Sequence, residues 1–273
     1  MIEDWKHGRR IGIYGECGPS VIVLHGGPGA YGGSDALAGA LSTGFRTYSP
    51  WQRRSGGIRL TVDIHVEDLR ELIETKVPDK QPAIIGESWG AMLALAFAGK
   101  YPKMCKCIAL VGCGTFTDET RKELTKRRLK RIRSHISKHP EFESDLELPV
   151  FEQVLKWHEM TDIFSKSDDS GAAISEGDFD RQAFDETWRD MIRCQQKGIY
   201  PADFVNFLRP VTMIHGEYDP HPGRLTATHL QSYLPHLEYK EISKCGHSPH
   251  IEKYAKEEFF EFLISWLTQN CEA

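Results

Sequence analysis

The stretch from Ala83 to Ala91 most constrains the fold of this chain, because it places a serine at a sharp change of backbone direction. The residues before Ser88 are apolar, as in a buried strand, and those after it are rich in alanine, as in a helix packed on a sheet. A glycine lies two residues away on each side, and a strained strand-to-helix turn requires small residues there. The stretch therefore predicts that the Ser88 hydroxyl stands above the edge of a sheet.

Strand-like and helix-like segments alternate on both sides of this turn. Strands are predicted at 11–14, 20–24, 45–48, 83–85, 105–112, 211–216 and 237–242, with helices at 62–76, 89–100, 225–234 and 259–268. Alternation of this kind is typical of a parallel sheet with right-handed crossovers. The fold class predicted is therefore α/β, with a mostly parallel sheet flanked by helices.

The sequence changes character between the two strand-rich parts. No convincing strand occurs from Thr115 to about Pro201, where helices are predicted at 121–135, 151–157 and 183–195. The first of these helices is very basic, but its apolar stripe favours a helix packed on the protein with its charges in solvent over a nucleic-acid site. We predict a core in two parts, residues 1–114 and 206–273, with an inserted helical cap at 115–205.

Composition limits the possible binding partners and cellular locations of the protein. The chain is 40% hydrophobic and 27% charged, and its net charge of -5 argues against nucleic acid or an anionic membrane as a partner. The longest uncharged apolar stretch, Ser88 to Gly99, is too short to span a bilayer, and the first six residues are not a signal peptide. Seven cysteines without regular spacing are interpreted as reduced thiols. We expect a cytoplasmic protein.

Four loops follow strands at the edge where open α/β sheets bind ligands. They carry, in chain order, Gly26 with Gly27, then Ser88, Asp219 and His247. A serine hydroxyl is a weak nucleophile unless a base takes its proton, and a histidine base needs a carboxylate to orient it. The glycine loop leaves backbone N–H groups free to approach a ligand, as an oxyanion donor requires. Together the loops predict nucleophilic catalysis.

Some of these residues also allow other interpretations. His250 competes with His247 for the role of base, but His250 is placed where the last helix could already begin. Asp219 could serve only as a turn residue before Pro220. Asp219 with His221 suggests a metal site, but no third ligand occurs at a recognisable spacing, so neither a metal nor another cofactor is expected.

Four motifs together resemble the α/β-hydrolase fold superfamily, and among its members the proline iminopeptidase-like branch. The motifs are HGGPG at 25–29, GESWG at 86–90, HGEYDP at 215–220 and CGH at 245–247. The resemblance implies that Ser88 is the nucleophile, His247 the base and Asp219 the orienting acid. It also implies an oxyanion hole formed by the backbone N–H groups of Gly27 and Trp89.

The chain departs from the iminopeptidase pattern after the fourth strand. Members of that branch usually carry a DQRG-type segment in this region, and here Trp51 stands where the acid should be. The activity implied is a serine hydrolase that acts through an acyl-enzyme on a small ester or amide, with iminopeptidase-like character. The alternatives are a carboxylesterase or lactonase without peptidase activity and a ligand-binding relative without turnover.

Substrate contacts are predicted from the same loops and from the inserted segment. Gly26 and the ring of Trp89, on the floor of the pocket, are expected to contact the substrate. An aminopeptidase also needs carboxylates to hold the substrate ammonium group. The candidates in the inserted segment are Glu152, Glu159, Asp162, Asp185, Glu186 and Asp190. Glu87, beside the serine, has no role that the sequence explains.

Overall fold

The computed structural model describes residues 1–5, 9–157 and 179–271, which form an eight-stranded sheet with helices on its two faces. The strands are β1 (Ile2–Asp4), β2 (Arg10–Tyr14), β3 (Ser20–Leu24), β4 (Arg46–Pro50), β5 (Ala83–Glu87), β6 (Ile108–Val111), β7 (Val211–Gly216) and β8 (Leu237–Ile242). Their order in the sheet is β1-β2-β4-β3-β5-β6-β7-β8. β2 pairs antiparallel with both β1 and β4, and all other neighbours pair parallel.

The α-helices of the described residues follow the strands as the alternation predicts. They are α1 (Asp35–Ala40), α2 (Val62–Lys76), α3 (Trp89–Lys100), α4 (Asp118–Ile136), α5 (Val150–Lys156), α6 (Arg181–Gln196), α7 (Gly223–Gln231) and α8 (Lys256–Cys271). Short 3-10 helices occur at Pro140–Glu147 and Ala202–Asn206. The predicted α/β fold with a mostly parallel sheet flanked by helices is confirmed.

The central strand and its helix show why this sequence adopts this fold. Every residue of β5 from Ala83 to Gly86 is buried, because helices cover both faces of the sheet. Helix α3 is buried along almost its entire length, and its small alanines let it lie close to the strands. Helix α2 is capped at its N-terminus by Thr61, whose side chain accepts a hydrogen bond from the N–H of Ile64 at 3.3 Å.

Among the described strands and α-helices, β1 and α1 were not predicted, and one strand is shorter than its pattern. β1 is a three-residue edge strand and α1 has six residues, so neither is long enough to show a clear periodicity. The apolar run from Cys105 to Gly112 forms a strand only at Ile108–Val111. Cys105 and Cys107 precede that strand as buried side chains, and none of the seven cysteines, all of which lie in the described residues, forms a disulfide.

The chain between β6 and β7 is an insertion into the sheet pattern, and its described residues contain no strand. In α4, Ile132 and Ile136 of the predicted apolar stripe are buried, while Leu124 and Leu129 are half-buried. The cap boundaries at 115 and 205 stay predictions, and most of the predicted polar stretch at 165–180 lies outside the described residues. No α-helix of the described parts of the chain combines the length and apolar character needed to cross a bilayer.

Two acidic side chains of helix α6 attach it to the core by hydrogen bonds to backbone N–H groups near the start of α2. The Asp190 carboxylate accepts a hydrogen bond from the backbone N–H of Val62 at 3.0 Å, and Glu186 accepts one from that of Leu60 at 2.8 Å. The Val62 N–H is in the first turn of α2 and has no partner within its own helix. A negative side chain at this end of α2 also interacts favourably with the helix dipole.

We expect Asp190→Ala to lower the free energy of unfolding by about 1–3 kcal/mol, because it leaves a buried backbone N–H without a partner. Asp185→Ala is the matched control, since Asp185 lies on the same helix and pairs on its surface with Arg181 and Arg189. That change should cost less than about 0.5 kcal/mol. Urea unfolding of the two variants measures the difference, and equal losses would contradict this role of Asp190.

Candidate active site

Ser88 occupies the turn between β5 and α3 in a strained backbone conformation, with φ +53° and ψ -110°. Such a conformation costs a non-glycine residue on the order of 1–3 kcal/mol and persists only where surrounding contacts impose it. The N–H of Ser88 donates to the carbonyl of Val111 at 2.8 Å. A Cβ on Gly86 would overlap the backbone of Gly90, and a Cβ on Gly90 would overlap that of Leu24. Close packing therefore imposes the turn and requires both glycines.

Asp219 and His247, in the loops after β7 and β8, form a hydrogen bond. Nδ1 of His247 lies 2.9 Å from Oδ2 of Asp219, and Asp219 is almost completely buried. Burial alone would raise the pKa of the Asp219 carboxyl, but the neighbouring His247 and His221 hold that pKa well below its usual range. Asp219 is therefore ionised at neutral pH and fixes the orientation of the His247 ring, with Nδ1 as the donor.

Two further imidazoles surround the same carboxylate. His221 places its Nδ1 3.0 Å from Oδ1 of Asp219, and its backbone N–H donates to that oxygen at 2.8 Å. The His221 ring stacks on the His247 ring with 4.5 Å between centroids and 16° between planes. Burial lowers the pKa of His221 to about 4, with Asp219 opposing the shift. His215 Nδ1 lies 3.3 Å from Oδ2. The carboxylate is held from both of its oxygens.

Ser88 and His247 approach the same piece of backbone at the end of β6. Ser88 is bonded to Val111, and a Cβ added to Gly112 would lie only 2.9 Å from Cε1 and Nδ1 of the His247 ring. Gly112 has φ +55°, which also favours glycine. The structure thus brings Ser88, Asp219 and His247 to the carboxyl edge of the parallel strands, as the loop positions suggested.

The glycine loop after β3 lies against the turn of Ser88. A Cβ added to Gly26 would be 3.1 Å from Cβ of Ser88, and Gly27 adopts φ +62°. Within the described parts of the chain, the backbone N–H groups of Gly27 and Trp89 have no hydrogen-bond partner. They are therefore available to a ligand oxygen beside Ser88. Their role as an oxyanion hole stays a prediction, as does substrate contact by Gly26.

The Trp89 side chain lies in the core and does not form an open pocket floor. It is 2% exposed, and its indole N–H donates to Oε1 of Gln52 at 2.8 Å. Gln52 in turn bonds twice to His25: its backbone N–H donates to Nε2 and its side-chain amide donates to the carbonyl, each at 3.0 Å. The expected substrate contact of the Trp89 ring is corrected accordingly. This ring instead helps to fix the start of the glycine loop.

Gln52 is a residue that the sequence reasoning missed. It follows Trp51, whose indole N–H lies 3.3 Å from a carboxylate oxygen of Asp35. The Nδ1 of His25 donates to the carbonyl of Gly26 at 2.9 Å. His25 and Gln52 are 27 residues apart in the sequence, and no local pattern indicates that their side chains meet.

His250 has a different carboxylate partner from His247. Its Nδ1 lies 3.0 Å from Oε1 of Glu87, and the Ser34 hydroxyl donates to Oε2 of the same carboxylate at 2.8 Å. His250 lies in a turn before α8, which begins only at Lys256, so the suggestion that it starts the last helix is wrong. The preference for His247 as the residue oriented by Asp219 agrees with these positions.

The structure also places His247 beside Asp219 and His221, the pair that suggested a metal site in the sequence. Within the described residues, Asp219, His221 and His247 offer one ligand atom each, all within 4.8 Å of one another. Two imidazoles and a carboxylate fit a transition metal in donor type. However, the contacts of 2.9–3.0 Å are hydrogen bonds that already join these groups in pairs. The expectation that the protein needs no metal stays a prediction.

We expect the protein to lose stability as the pH falls from about 6.5 toward 4. Burial lowers the pKa of both His65 and His221 to about 4, so below 6.5 the unfolded chain binds protons that the folded protein excludes. Each histidine contributes a loss on the order of 3 kcal/mol over this range.

Urea unfolding at pH 7 and pH 4.5 tests this expectation. His65→Asn should have a smaller loss between the two pH values than the unchanged protein. His139→Asn is the control, because His139 is 46% exposed, and its pH dependence should match that of the unchanged protein. An unchanged pH dependence in His65→Asn would contradict the assignment.

Comparisons with known proteins agree with the fold. No curated protein matches the chain in sequence. Among solved structures, an esterase from Thermogutta terrifontis (18% identity, 98% of this chain and 96% of that chain covered, TM-score 0.62) is similar. The epoxide hydrolase of Bacillus megaterium is also similar (18% identity, 96% of this chain and 98% of that chain covered, TM-score 0.68). The proline iminopeptidase of Mycobacterium smegmatis is similar as well (18% identity, 98% of this chain and 97% of that chain covered, TM-score 0.65). The family described as alpha/beta hydrolase fold matches residues 19–254. This chain therefore belongs to the α/β-hydrolase fold family.

Proposed function

We propose that this chain is a serine hydrolase that forms an acyl-enzyme on Ser88. The observation that carries the proposal is the hydrogen bond of 2.9 Å between the His247 Nδ1 and the buried Asp219, at the sheet edge where Ser88 is held in its strained turn. A base oriented in this way presents its other nitrogen, Nε2, for proton transfer. A ligand-binding relative without turnover would have no need of an ionised carboxylate behind that ring.

In the proposed reaction, His247 takes the proton of the Ser88 hydroxyl as the oxygen attacks the acyl carbonyl carbon. The negative charge that develops on the carbonyl oxygen is stabilised by the N–H groups of Gly27 and Trp89, each worth about 3 kcal/mol in comparable sites. His247 then gives the proton to the leaving group. Water, activated by the same ring, hydrolyses the acyl-enzyme and restores Ser88.

Serine at the nucleophile position separates this proposal from other chemistries hosted by the fold. Epoxide hydrolase and haloalkane dehalogenase reactions require an aspartate there, so the similarity to an epoxide hydrolase concerns the fold alone. The proposed substrates are small molecules. The cytoplasmic location, and the absence of nucleic-acid and membrane partners, are expectations from the sequence that belong to this proposal.

We infer that an ester is a better substrate class than an aminoacyl amide. An aminopeptidase must hold a substrate ammonium group with free carboxylates, and Glu186 and Asp190 are instead bonded to backbone N–H groups of the core. Asp185 pairs with arginines on the surface of α6. Two further candidates, Glu159 and Asp162, lie outside the described residues. Iminopeptidase-like activity is the second candidate, supported by the motif resemblance and one structural neighbour.

A fluorophosphonate probe tests the nucleophile and the base. We expect the probe to label the unchanged protein and to fail on Ser88→Ala. Asp219→Asn should lower kcat on an ester substrate by about 10⁴-fold, because the ring of His247 then takes the wrong tautomer. His247→Ala should be inactive. An active His247→Ala protein would show that a different residue is the base, and labelling of Ser88→Ala would remove Ser88 as the nucleophile.

A substrate panel tests the substrate class. Short acyl esters, lactones and aminoacyl amides, proline amides among them, are compared under one set of conditions with the unchanged protein and with Ser88→Ala as the blank. We expect ester hydrolysis without cleavage of proline amides. Faster cleavage of a proline amide than of every ester would reverse the order of the two candidates.

A further inference from the structure

We propose that Glu87 is a positioning residue that joins three of the four loops of the site through a largely buried contact with His250. Glu87 immediately precedes Ser88 in the chain, so its carboxylate is fixed to the nucleophile turn. The inference rests on the proposed function, because it assigns Glu87 and His250 to the geometry of the same Ser88 and His247.

The contacts of Glu87 reach both other loops. Its Oε1 lies 3.0 Å from Nδ1 of His250, three residues after His247, and its Oε2 accepts the hydroxyl hydrogen of Ser34 at 2.8 Å. Ser34 is fully buried and lies at the end of the loop that begins with the glycines after β3. One carboxylate therefore contacts the loop of the oxyanion donors and the loop of the base.

A second buried carboxylate holds the loop of the base as a unit. Glu252 is completely buried and accepts hydrogen bonds from the N–H of Gly246 at 2.6 Å and from that of Ser248 at 3.0 Å. These two amides flank His247 on either side. Glu252 braces the loop internally, and the contact of His250 with Glu87 joins that loop to the turn of Ser88.

Each group of this pair favours the charged form of the other. Burial opposes ionisation of both groups, but Glu87 raises the pKa of His250 and His250 lowers the pKa of Glu87. Glu252 also raises the pKa of His250, and Lys256 at the start of α8 lowers it. The nearby His247 acts on Glu87 in the same direction as His250. Removing one partner of a buried pair leaves the other uncompensated, so the loops lose their common attachment.

The sign of the pH dependence follows from these directions. The pair is formed at pH values between the lowered pKa of Glu87 and the raised pKa of His250. For His250, the contribution of the pair to stability is fully present below pH 6.5, the ordinary pKa of a histidine. This contribution is lost as the pH rises through the raised pKa of His250. On the side of Glu87, the contribution is lost as the pH falls through the lowered pKa. The attachment therefore weakens at alkaline pH.

The test compares the unchanged protein with Glu87→Gln, His250→Gln and the double variant. The rate constant for fluorophosphonate labelling of Ser88 should fall roughly tenfold in each single variant, and the double variant should lose no more than the single ones, as for residues that act through one contact. In the unchanged protein the rate should also decline at alkaline pH beyond the pKa of His250. That decline should be absent from the double variant.

Controls separate this role from a loss of folding. Glu74→Gln makes the same chemical change in an exposed ion pair with Arg70 on α2, and it should label at the unchanged rate. Thermal unfolding shows which variants are folded. Ser34→Ala, which removes only the hydroxyl contact, provides a milder variant with a smaller expected loss of rate where a charge variant fails to fold.

A second measurement distinguishes failure of this inference from failure of the proposed function. The imidazole NMR signals of His247 should shift in Glu87→Gln and His250→Gln and stay unchanged in Glu74→Gln. Folded variants with wild-type labelling rates and unshifted His247 signals would overturn the inference. Absence of labelling in the unchanged protein would overturn the proposed function instead, and the His247 signals alone would then decide the role of Glu87.

Discussion

The close packing of the Ser88 turn against its neighbouring strands is the constraint on which the rest of the site depends. The turn holds a non-glycine residue at φ +53°, a conformation that the residue would not adopt unaided. It is imposed by contacts on both sides: Gly90 lies against the end of β3, and the Ser88 N–H is bonded to the end of β6. Because β3 and β6 flank β5 in the sheet, the serine is fixed relative to the loops that follow both of those neighbours.

Buried carboxylates organise the side of the site around the base. Asp219 and Glu252 are buried and Glu87 is largely buried, which is unfavourable for a charge unless hydrogen bonds or opposite charges compensate it. Each has partners: Asp219 has three imidazoles, Glu87 has His250 and Ser34, and Glu252 has two backbone N–H groups. A charge with fixed partners resists displacement, so these groups help to hold the loops of the site in place.

The inserted segment illustrates where prediction from sequence fails. Its acidic residues were candidates for holding a substrate, since nothing in the sequence shows which way a side chain on a helix points. In the structure, Asp190 and Glu186 bond to amides at the start of α2, while Asp180 accepts hydrogen bonds from Ser55. These partners are about 125 residues away along the chain. Contacts of that kind arise from the packing of α6 on the core and leave no local signal.

The sequence by itself determined the fold class, most strand and helix positions, and the four loops at one edge of the sheet. These follow from hydrophobic periodicity and from glycine and proline positions, which act over a few residues. Only the tertiary structure decided that Asp219 faces His247 while His250 faces Glu87, because the two histidines are three residues apart in one loop and equivalent in chemistry. It also placed the Trp89 indole in the core and gave Glu87, unexplained by the sequence, partners from two other loops. The physical reason is that hydrogen-bond partners are chosen by distance and direction in space, which a linear pattern does not encode.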